Sequence, residues 1–155
     1  MSRRSQITLS DAEILQLLDQ ERTLICATIG RDGWPHLMPL WYVVRDGECW
    51  SWTYAKSQKV RNLERDPRAT LLVETGIEYV ELRGVQIEAE ATIHRDLETV
   101  LEFAKELTVR YSEGIESVEG DAEAGLRAQA PKRVAISFEP RRVASWDHGK
   151  LGGTY

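Results

Sequence analysis

Residues 52–63 hold the side chains best suited to chemistry. A strand is predicted to end there and a short helix to begin at Ser57. The first amide groups of a helix have no partner within it, so a helix start can bind an anion. Thr53 and Ser57 add hydroxyl groups, and Lys56 and Lys59 add positive charge; a lysine beside a helix start is expected at the surface. Two interpretations stay open: a phosphate site, or a solvated basic turn in which Ser57 only caps the helix.

The sequence contains five tryptophans, at positions 34, 41, 50, 52 and 146. Any of them could anchor a core or a dimer interface. Trp50 and Trp52 share one face of a predicted strand, because side chains two residues apart point the same way. Trp52 also adjoins the predicted anion site. An aromatic wall beside an anion site suits a planar, phosphorylated heterocycle.

Motifs for catalysis by the protein's own groups are absent from the sequence. It has no GxSxG, HExxH, P-loop or GxGxxG pattern, and its three histidines are far apart. Paired acids such as Glu88 and Glu90 alternate along a predicted strand and are expected to face solvent. If the protein is an enzyme, its reactive atom would therefore belong to a cofactor. The sequence identifies no proton donor.

Composition limits the class of protein. The 155 residues suffice for one domain, and 42% of them are hydrophobic. A net charge of −5 argues against a binder of nucleic acid or of anionic membranes. Cys26 and Cys49 have no CxxC spacing and the histidines complete no metal set, so neither a disulfide scaffold nor a zinc site is expected. Without a long apolar run or a signal peptide, we expect a cytoplasmic protein.

Short strands separated by hairpin turns predict a small antiparallel barrel, mostly β with flanking helices, as one domain over residues 1–155. Residues 1–8 are expected to form a tail, and the acid-rich, glycine-containing segment 112–132 a mobile loop. Gly84 is expected at a bulge or a close approach. Ser10 and Glu13 form a predicted capping box. The predicted strands are 22–29, 37–44, 49–54, 68–74, 79–93, 133–138 and 143–146, and the predicted helices are 8–21, 57–65 and 96–111.

Two stretches carry a resemblance to a known family. One is Gly33-Trp34-Pro35-His36, which leads into a strand, and the other is Thr53-x-x-x-Ser57-x-Lys59-x-x-Asn62-Leu63-x-x-Asp66-Pro67-Arg68. They resemble the pyridoxamine 5′-phosphate oxidase-like split β-barrel flavoproteins. Residues 143–151 look like the actinobacterial branch, which contains flavin- and deazaflavin-dependent reductases. The resemblance implies a split barrel of six or seven strands that forms a homodimer, with two cofactors at the subunit interface.

The resemblance also implies which residues hold the cofactor. Strand two would lie along the isoalloxazine ring and contact it through backbone groups, the strand before the helix would flank the ribityl chain, and the helix start would hold the phosphate. In that order these residues are Met38, Pro39, Leu40 and Trp41, then Trp52 and Thr53, then Ser57, Gln58 and Lys59. Arg83 matches a further cofactor-contacting position. Trp146 falls on the substrate side of the pocket.

The sequence departs from the authentic oxidase at three places. Gln58-Lys59 stands where that enzyme has Arg-Lys, and Met38 replaces its arginine on strand two. The C-terminus lacks the Arg-Leu-x-Pro ending with which the oxidase grips its substrate. Oxidation of vitamin B6 is therefore not expected.

Three functions stay open at this point. The first is hydride transfer between the reduced deazaflavin coenzyme F420 and a small, planar organic acceptor. The second is an FMN-binding oxidoreductase of the pyridoxamine-phosphate-oxidase-like type, and the third is a non-catalytic cofactor carrier or a haem-binding relative. F420 carries a phosphodiester and an oligoglutamate tail, so it would favour basic residues beyond the phosphate site, for which Lys56, Arg61 and Lys150 are candidates. FMN needs only the phosphate site.

Overall fold

The computed structural model describes residues 3–152. Its centre is a seven-stranded antiparallel sheet with the strand order β2-β1-β5-β6-β7-β4-β3. The prediction of a mostly β split barrel with flanking helices is confirmed. The strands are β1 (Leu24–Ile29), β2 (Pro35–Leu40), β3 (Val43–Arg45), β4 (Glu48–Tyr54), β5 (Arg68–Thr75), β6 (Arg83–His94) and β7 (Arg133–Asp147). The helices are α1 (Arg3–Gln6), α2 (Asp11–Gln20), α3 (Gln58–Arg65), α4 (Leu97–Tyr111) and α5 (Gly120–Gln129).

The long strands β6 and β7 join the two halves of the sheet. β7 pairs with β6 along its length, while its residues 133–138 also pair with β4. A register shift between Glu88 and Ala89 of β6 marks a bulge, which bends the pair. The two closing strands that the sequence predicts are therefore one bent strand.

Alternating side chains of the strands fill the barrel, because successive side chains on a strand point to opposite faces. In β4, Cys49, Ser51 and Thr53 are buried, whereas Trp50 and Trp52 are half-buried on the other face. α2 and α3 contribute apolar side chains to the same core. Its members include Leu17, Leu24, Tyr42, Val60, Leu71, Val85, Ile136 and Phe138.

α4 covers the outer face of β4 and β7. Its Phe103 and Leu107 pack with Ala135, and Trp50 and Trp52 lie against the same cluster. The predicted amphipathic helix at the flank of the barrel is confirmed.

The prediction of a loop over 112–132 is wrong in its second half, where α5 lies (Gly120–Gln129). Alanines separate the acids there, and alanine has the highest helix propensity. An ion pair between Glu123 and Lys105 attaches α5 to α4. The second half of the acid-rich segment is therefore a helix, and one of its acids holds it against α4.

Two predicted strands have different bounds in the structure. The strand expected at 37–44 breaks at Trp41 and Tyr42, where the chain passes from β2 to β3. Tyr42 turns into the core, and its hydroxyl donates to a carbonyl oxygen of α2 over 2.7 Å. The strand expected at 79–93 begins only at Arg83, after a short 3-10 helical turn.

Cys26 and Cys49 are free and buried. Burial raises the pKa of each thiol to about 12. At neutral pH both side chains are therefore uncharged and act as small apolar core residues.

Neither a membrane-spanning helix nor a group of metal-binding side chains is found among the described residues. Within residues 3–152, no helix is long and apolar enough to cross a membrane. The same residues contain no group of three His, Cys, Asp or Glu side chains that could hold a metal ion. The first two residues of the predicted N-terminal tail lie outside the described residues, and the tail otherwise contains α1.

Candidate functional site

α3 packs against one end of the barrel, directly after β4. Its buried residues are Lys59, Val60, Asn62 and Leu63. These positions share one helical face, because residues three and four apart lie above one another on a helix. The sequence of α3 thereby turns a lysine and an asparagine toward the barrel.

Ser57 occupies the N-cap position of α3, but its side chain makes no hydrogen bond to the helix. Its backbone has the extended conformation of an N-cap, with φ −67° and ψ 156°, yet its side chain accepts no hydrogen bond from the helix. The hydroxyl oxygen is buried and has no hydrogen-bond partner among the described residues. Leaving a buried polar group without a partner costs about 1–3 kcal/mol, so a ligand that bonds this hydroxyl would recover that free energy.

Lys59 is buried, with 7% of its surface exposed, which overturns the expectation of a surface lysine. It is turned inward because it lies on the buried face of α3. Its Nζ donates a hydrogen bond to Thr53 Oγ1 over 2.9 Å. Removal from water lowers the pKa of Lys59, and no carboxylate among the described residues opposes that shift. Since an ammonium group can donate three hydrogen bonds, Lys59 has donors left for an anion.

Amide hydrogen bonds fix α3 on β1. Asn62 Nδ2 donates to Thr28 Oγ1 over 3.0 Å, and Gln58 Nε2 donates to Asn62 Oδ1 over 2.9 Å. The amide nitrogen of Gln58 is thus used inside α3. Sequence patterns assign Thr28 no role, because its partner Asn62 lies 34 residues further along the chain.

We call Thr53, Ser57 and Lys59, which lie where β4 is followed by α3, the cradle, a candidate site for one anionic group. They supply two hydroxyl groups and an ammonium group at the start of a helix, where the backbone amides also face outward. Buried polar groups with unused hydrogen-bonding capacity are uncommon in folded proteins. The oxygens of a phosphate accept several hydrogen bonds at once, and those from a cation are the strongest. These residues therefore fit the phosphate of a flavin-type cofactor.

Two clefts border β2. One, of about 680 Å³, lies between the β1–β2 turn and α3 and is lined by Trp34, His36, Gln58 and Asn62 among others. The other, of about 470 Å³, lies over β1, β5 and β6 and is mostly apolar. Pro35, the first residue of β2, lines both clefts. The start of β2 thus borders both clefts.

β2 is an edge strand with an exposed apolar surface. It pairs with β1 only, so part of its backbone has no partner in the sheet. Met38 and Pro39 are exposed and Leu40 is buried. Trp41 is 56% exposed and stacks on Tyr111 of α4, with ring centroids 4.5 Å apart. Contact between this backbone and a cofactor ring stays a prediction.

Trp52 lies on the face of β4 opposite to the cradle. Thr53 points into the barrel toward Lys59, whereas Trp52 packs against the cluster under α4. The guanidinium of Arg133 lies 4.8 Å from the centre of the Trp52 ring. Within one chain, Trp52 therefore does not form the expected aromatic wall beside the anion site, because adjacent residues on a strand face opposite ways.

Arg83 and Trp146 lie together, at the other end of β7 from the cradle. Arg83 Nε is 3.7 Å from the carboxylate of Asp147, the last residue of β7. Thr53 of the cradle instead pairs with Val134, near the first residue of β7. Trp146 pairs with Gly84, and a Cβ atom on Gly84 would lie 2.3 Å from the indole Cζ2. The close approach predicted at Gly84 is confirmed. Within one chain, the structure brings Arg83 and Trp146 near each other but not to the cradle.

The fold agrees with a comparison of the sequence against protein families. The model of the family described as pyridoxamine 5′-phosphate oxidase matches residues 10–147. The chain belongs to this family. As a member of the pyridoxamine 5′-phosphate oxidase family, it has a fold of the flavin-binding type. No curated protein matches the chain.

Several solved structures are similar to this chain. A conserved hypothetical protein of Mycobacterium tuberculosis, Rv2991, is 40% identical, with a TM-score of 0.89 over 100% of this chain and 95% of that chain. An F420 reductase is 21% identical, with a TM-score of 0.64 over 83% and 94%. HutZ, the heme storage protein of Vibrio cholerae, is 17% identical, with a TM-score of 0.68 over 90% and 97%. The last two likenesses show the fold alone, and their names describe different functions.

Proposed function

We propose that the chain is an oxidoreductase that binds the deazaflavin coenzyme F420 and transfers a hydride between its reduced form and a small, planar organic acceptor. The cradle carries this proposal: among the residues that the structure describes, the buried ammonium group of Lys59 has no counter-ion and the buried hydroxyl of Ser57 has no hydrogen-bond partner. In the described residues each group is removed from water without a full set of hydrogen bonds, which costs free energy in the ligand-free protein. A phosphate-bearing coenzyme supplies both the charge and the acceptors.

The cradle would hold one end of the coenzyme. Lys59 would donate to the phosphate while it keeps its hydrogen bond to Thr53, and the hydroxyl of Ser57 would donate to a phosphate oxygen. The coenzyme supplies the hydride chemistry when it is bound. The protein would hold the coenzyme and the acceptor in contact, which turns a bimolecular encounter into a reaction within one complex.

The proposed assembly is a homodimer. Four apolar side chains on and beside β2 are exposed, namely Trp34, Leu37, Met38 and Trp41. Large exposed apolar side chains on an edge strand are often found at protein–protein interfaces. A second copy over β2 would cover these side chains and close the neighbouring clefts. Sedimentation at micromolar concentration should show a dimer with and without F420, and a stable monomer would remove the two-chain pocket from the proposal.

An FMN-binding oxidoreductase is the second candidate. The cradle offers donors for one phosphate, and FMN carries one phosphate. The two candidates differ in which coenzyme binds more tightly and in which one the protein reoxidises.

Titration and turnover with both coenzymes test the proposal. We expect the purified chain to quench F420 fluorescence on binding and to reoxidise reduced F420 when a naphthoquinone such as menadione is added as a planar acceptor. Lys59→Met serves as the binding-deficient control. Turnover with reduced FMN alone would select the second candidate. Binding of F420 without reoxidation by any planar acceptor would make the chain a carrier, and binding of neither coenzyme would reject the proposal.

A further inference from the structure

Two buried polar side chains of α3 form hydrogen bonds to the sheet. Lys59 donates to Thr53 of β4, and Asn62, three residues further along the helix, donates to Thr28 of β1. Residues three apart lie on one face of a helix, so both contacts point toward the barrel. Because they reach two different strands, they define the rotation of α3 about its own axis. That rotation determines how deeply Lys59 enters the barrel.

Asn62 is fully buried, with 0% of its surface exposed, and both polar atoms of its amide have partners. Its Nδ2 donates to Thr28 Oγ1 over 3.0 Å. Its Oδ1 accepts from Gln58 Nε2 over 2.9 Å and from Arg65 Nη2 over 3.2 Å. An amide oxygen has two lone pairs, so this oxygen is saturated. Asn62 is therefore placed to hold other groups and not to contact a ligand itself.

Thr28 offers this bond a fixed support inside the sheet. It is 2% exposed, and it pairs with His36 of β2 on one side and with Ala69 of β5 on the other. Its hydroxyl donates to the carbonyl oxygen of His36 over 3.5 Å while it accepts from Asn62. Strands inside a sheet open less readily than its edges or loops. The bond thus ties α3 to a part of the barrel that moves little.

The bond from Lys59 to β4 is the one that an anion would disturb. An ammonium group turns its hydrogen bonds toward a bound anion, because charge-assisted hydrogen bonds are the strong ones. Val60 and Leu63 also hold α3 in the core, but apolar contacts have no direction and define rotation poorly. Only a directed contact that the ligand does not use keeps the helix in one orientation. Asn62 provides such a contact.

We propose that Asn62 is a positioning residue for the cradle: its hydrogen bond to Thr28 holds α3 so that Lys59 stays inside the barrel and available to a bound anion. The inference rests on the proposed function and deepens it, because it adds a residue that acts on the coenzyme phosphate only through Lys59. Removal of the bond should affect the phosphate end of a ligand and not its ring. It should also return Lys59 to water in the ligand-free protein.

Binding of matched probes to variants of Thr28 tests the proposal. Thr28→Val removes the hydroxyl at nearly constant volume. It should weaken F420 binding about three- to tenfold and keep the affinity for the same deazaflavin without its phosphate within about twofold. FMN and riboflavin form a second pair of probes with this difference. Thr28→Ser keeps the hydroxyl and should retain most of the F420 affinity, whereas Asn62→Leu removes the bond from its other end and should reproduce the loss.

Ser137→Ala is the matched control for the loss of a buried hydroxyl. Ser137 is 6% exposed, and its Oγ lies 2.9 Å from His94 Nε2, on the face of β7 that α4 covers. Thr28→Val and Ser137→Ala should each lower the melting temperature by about 2–4 °C. Only Thr28→Val should weaken F420 binding. Equal losses of affinity in both variants would reduce the effect to general destabilisation and overturn the inference.

Two further measurements test whether Asn62 acts through Lys59. In a double-mutant cycle, Thr28→Val should cause no further loss of F420 affinity in the Lys59→Met background. In the ligand-free protein, NMR titration should show a higher pKa of Lys59 in Thr28→Val than in the wild type, because burial lowers that pKa and the variant restores water. Additive losses in the cycle, or an unchanged titration of Lys59, would overturn the inference.

The outcomes also distinguish this inference from the proposed function. If the wild type binds F420, then equal losses for both members of a probe pair in Thr28→Val, or no loss for either, would overturn the positioning role alone. If the wild type binds neither F420 nor FMN, the proposed function fails. In that case a raised pKa of Lys59 in Thr28→Val would still support Asn62 as the residue that holds Lys59, and an unchanged pKa would overturn both proposals.

Discussion

A serine occupies the N-cap position of both α2 and α3, but the two serines form different hydrogen bonds. At α2, the Ser10 hydroxyl accepts a hydrogen bond from the Glu13 amide over 3.3 Å, and the Glu13 carboxylate accepts one from the Ser10 amide over 2.7 Å. At α3, Ser57 has the same extended backbone, but its hydroxyl is buried and has no hydrogen-bond partner within residues 3–152. The first serine completes its helix, whereas the second is left available to a ligand.

The lysines beside these two starts differ in the same way. Lys150 pairs with Glu13 over 2.8 Å, and hydrogen bonds from Lys150 and Ser10 lower the pKa of Glu13 to about 2. Lys59 has no carboxylate in reach among the described residues, and burial lowers its pKa. At the start of α2, Lys150 and Glu13 pair with each other, whereas at the start of α3 the proposed function assigns the balancing negative charge to a bound anion. Four predictions test this contrast.

Lys59→Met has the largest expected effect. Loss of a charge-assisted hydrogen bond of about 1.5–3 kcal/mol should weaken F420 binding roughly tenfold to a hundredfold. The free energy of unfolding of the ligand-free protein should fall by less than about 1 kcal/mol, because methionine fills a similar volume and carries no charge to desolvate. Fluorescence titration and urea denaturation measure the two quantities, with Lys150→Met as the control that retains binding. A loss of several kcal/mol of stability with unchanged binding would make Lys59 a structural residue.

The same variant should change how stability depends on pH. Because the pKa of Lys59 is lower in the folded than in the unfolded protein, the unfolded chain binds more protons between that lowered pKa and the ordinary value of 10.5. The Lys59 contribution to stability should therefore rise with pH across this window. Lys59→Met should lack that rise.

Alanine at each of the two serines should separate stability from binding. Ser10→Ala should lower the free energy of unfolding by about 1 kcal/mol, because it removes a helix cap, and leave F420 affinity unchanged. Ser57→Ala should leave stability nearly unchanged, because the structure shows no cap hydrogen bond to lose. It should weaken F420 binding by less than about tenfold, since a neutral hydroxyl contributes less than a cation. The reverse pattern in denaturation and titration would show that both serines are caps.

The smallest expected effect is the loss of stability when Glu13, at the start of α2, is protonated at low pH. The folded state lowers the pKa of Glu13 from 4.5 to about 2, so its contribution to stability is present above pH 4.5 and is lost as the pH falls toward 2. Glu13→Gln should lack this part of the acid sensitivity. The difference should shrink in high salt, because the Lys150–Glu13 pair is near the surface. Melting temperatures of both proteins at pH 2–6 and two salt concentrations measure it, and identical acid profiles would count against the pair.

Local patterns predicted the features that depend on neighbours in sequence. The capping box of Ser10 and Glu13 and the amphipathic helix α4 involve residues three or four apart, so the sequence displays them directly. The alanines of α5 have a high helix propensity and could have predicted this helix, but its acids and glycines led to the prediction of a loop. The burial of Lys59 followed from no local signal, because it depends on α3 packing against the barrel.

The sequence alone determined that Ser57 would begin a helix and that basic and hydroxyl groups would surround it, since these properties depend on a few consecutive residues. Only the tertiary structure decided that Trp52 faces α4 while Thr53 faces Lys59. Only the pairing of β4 with β7 brings Arg133 onto the ring of Tyr54. The register of the strands depends on which side chains are buried across the whole sheet. Residues far apart in sequence therefore come into contact although no local sequence pattern predicts it.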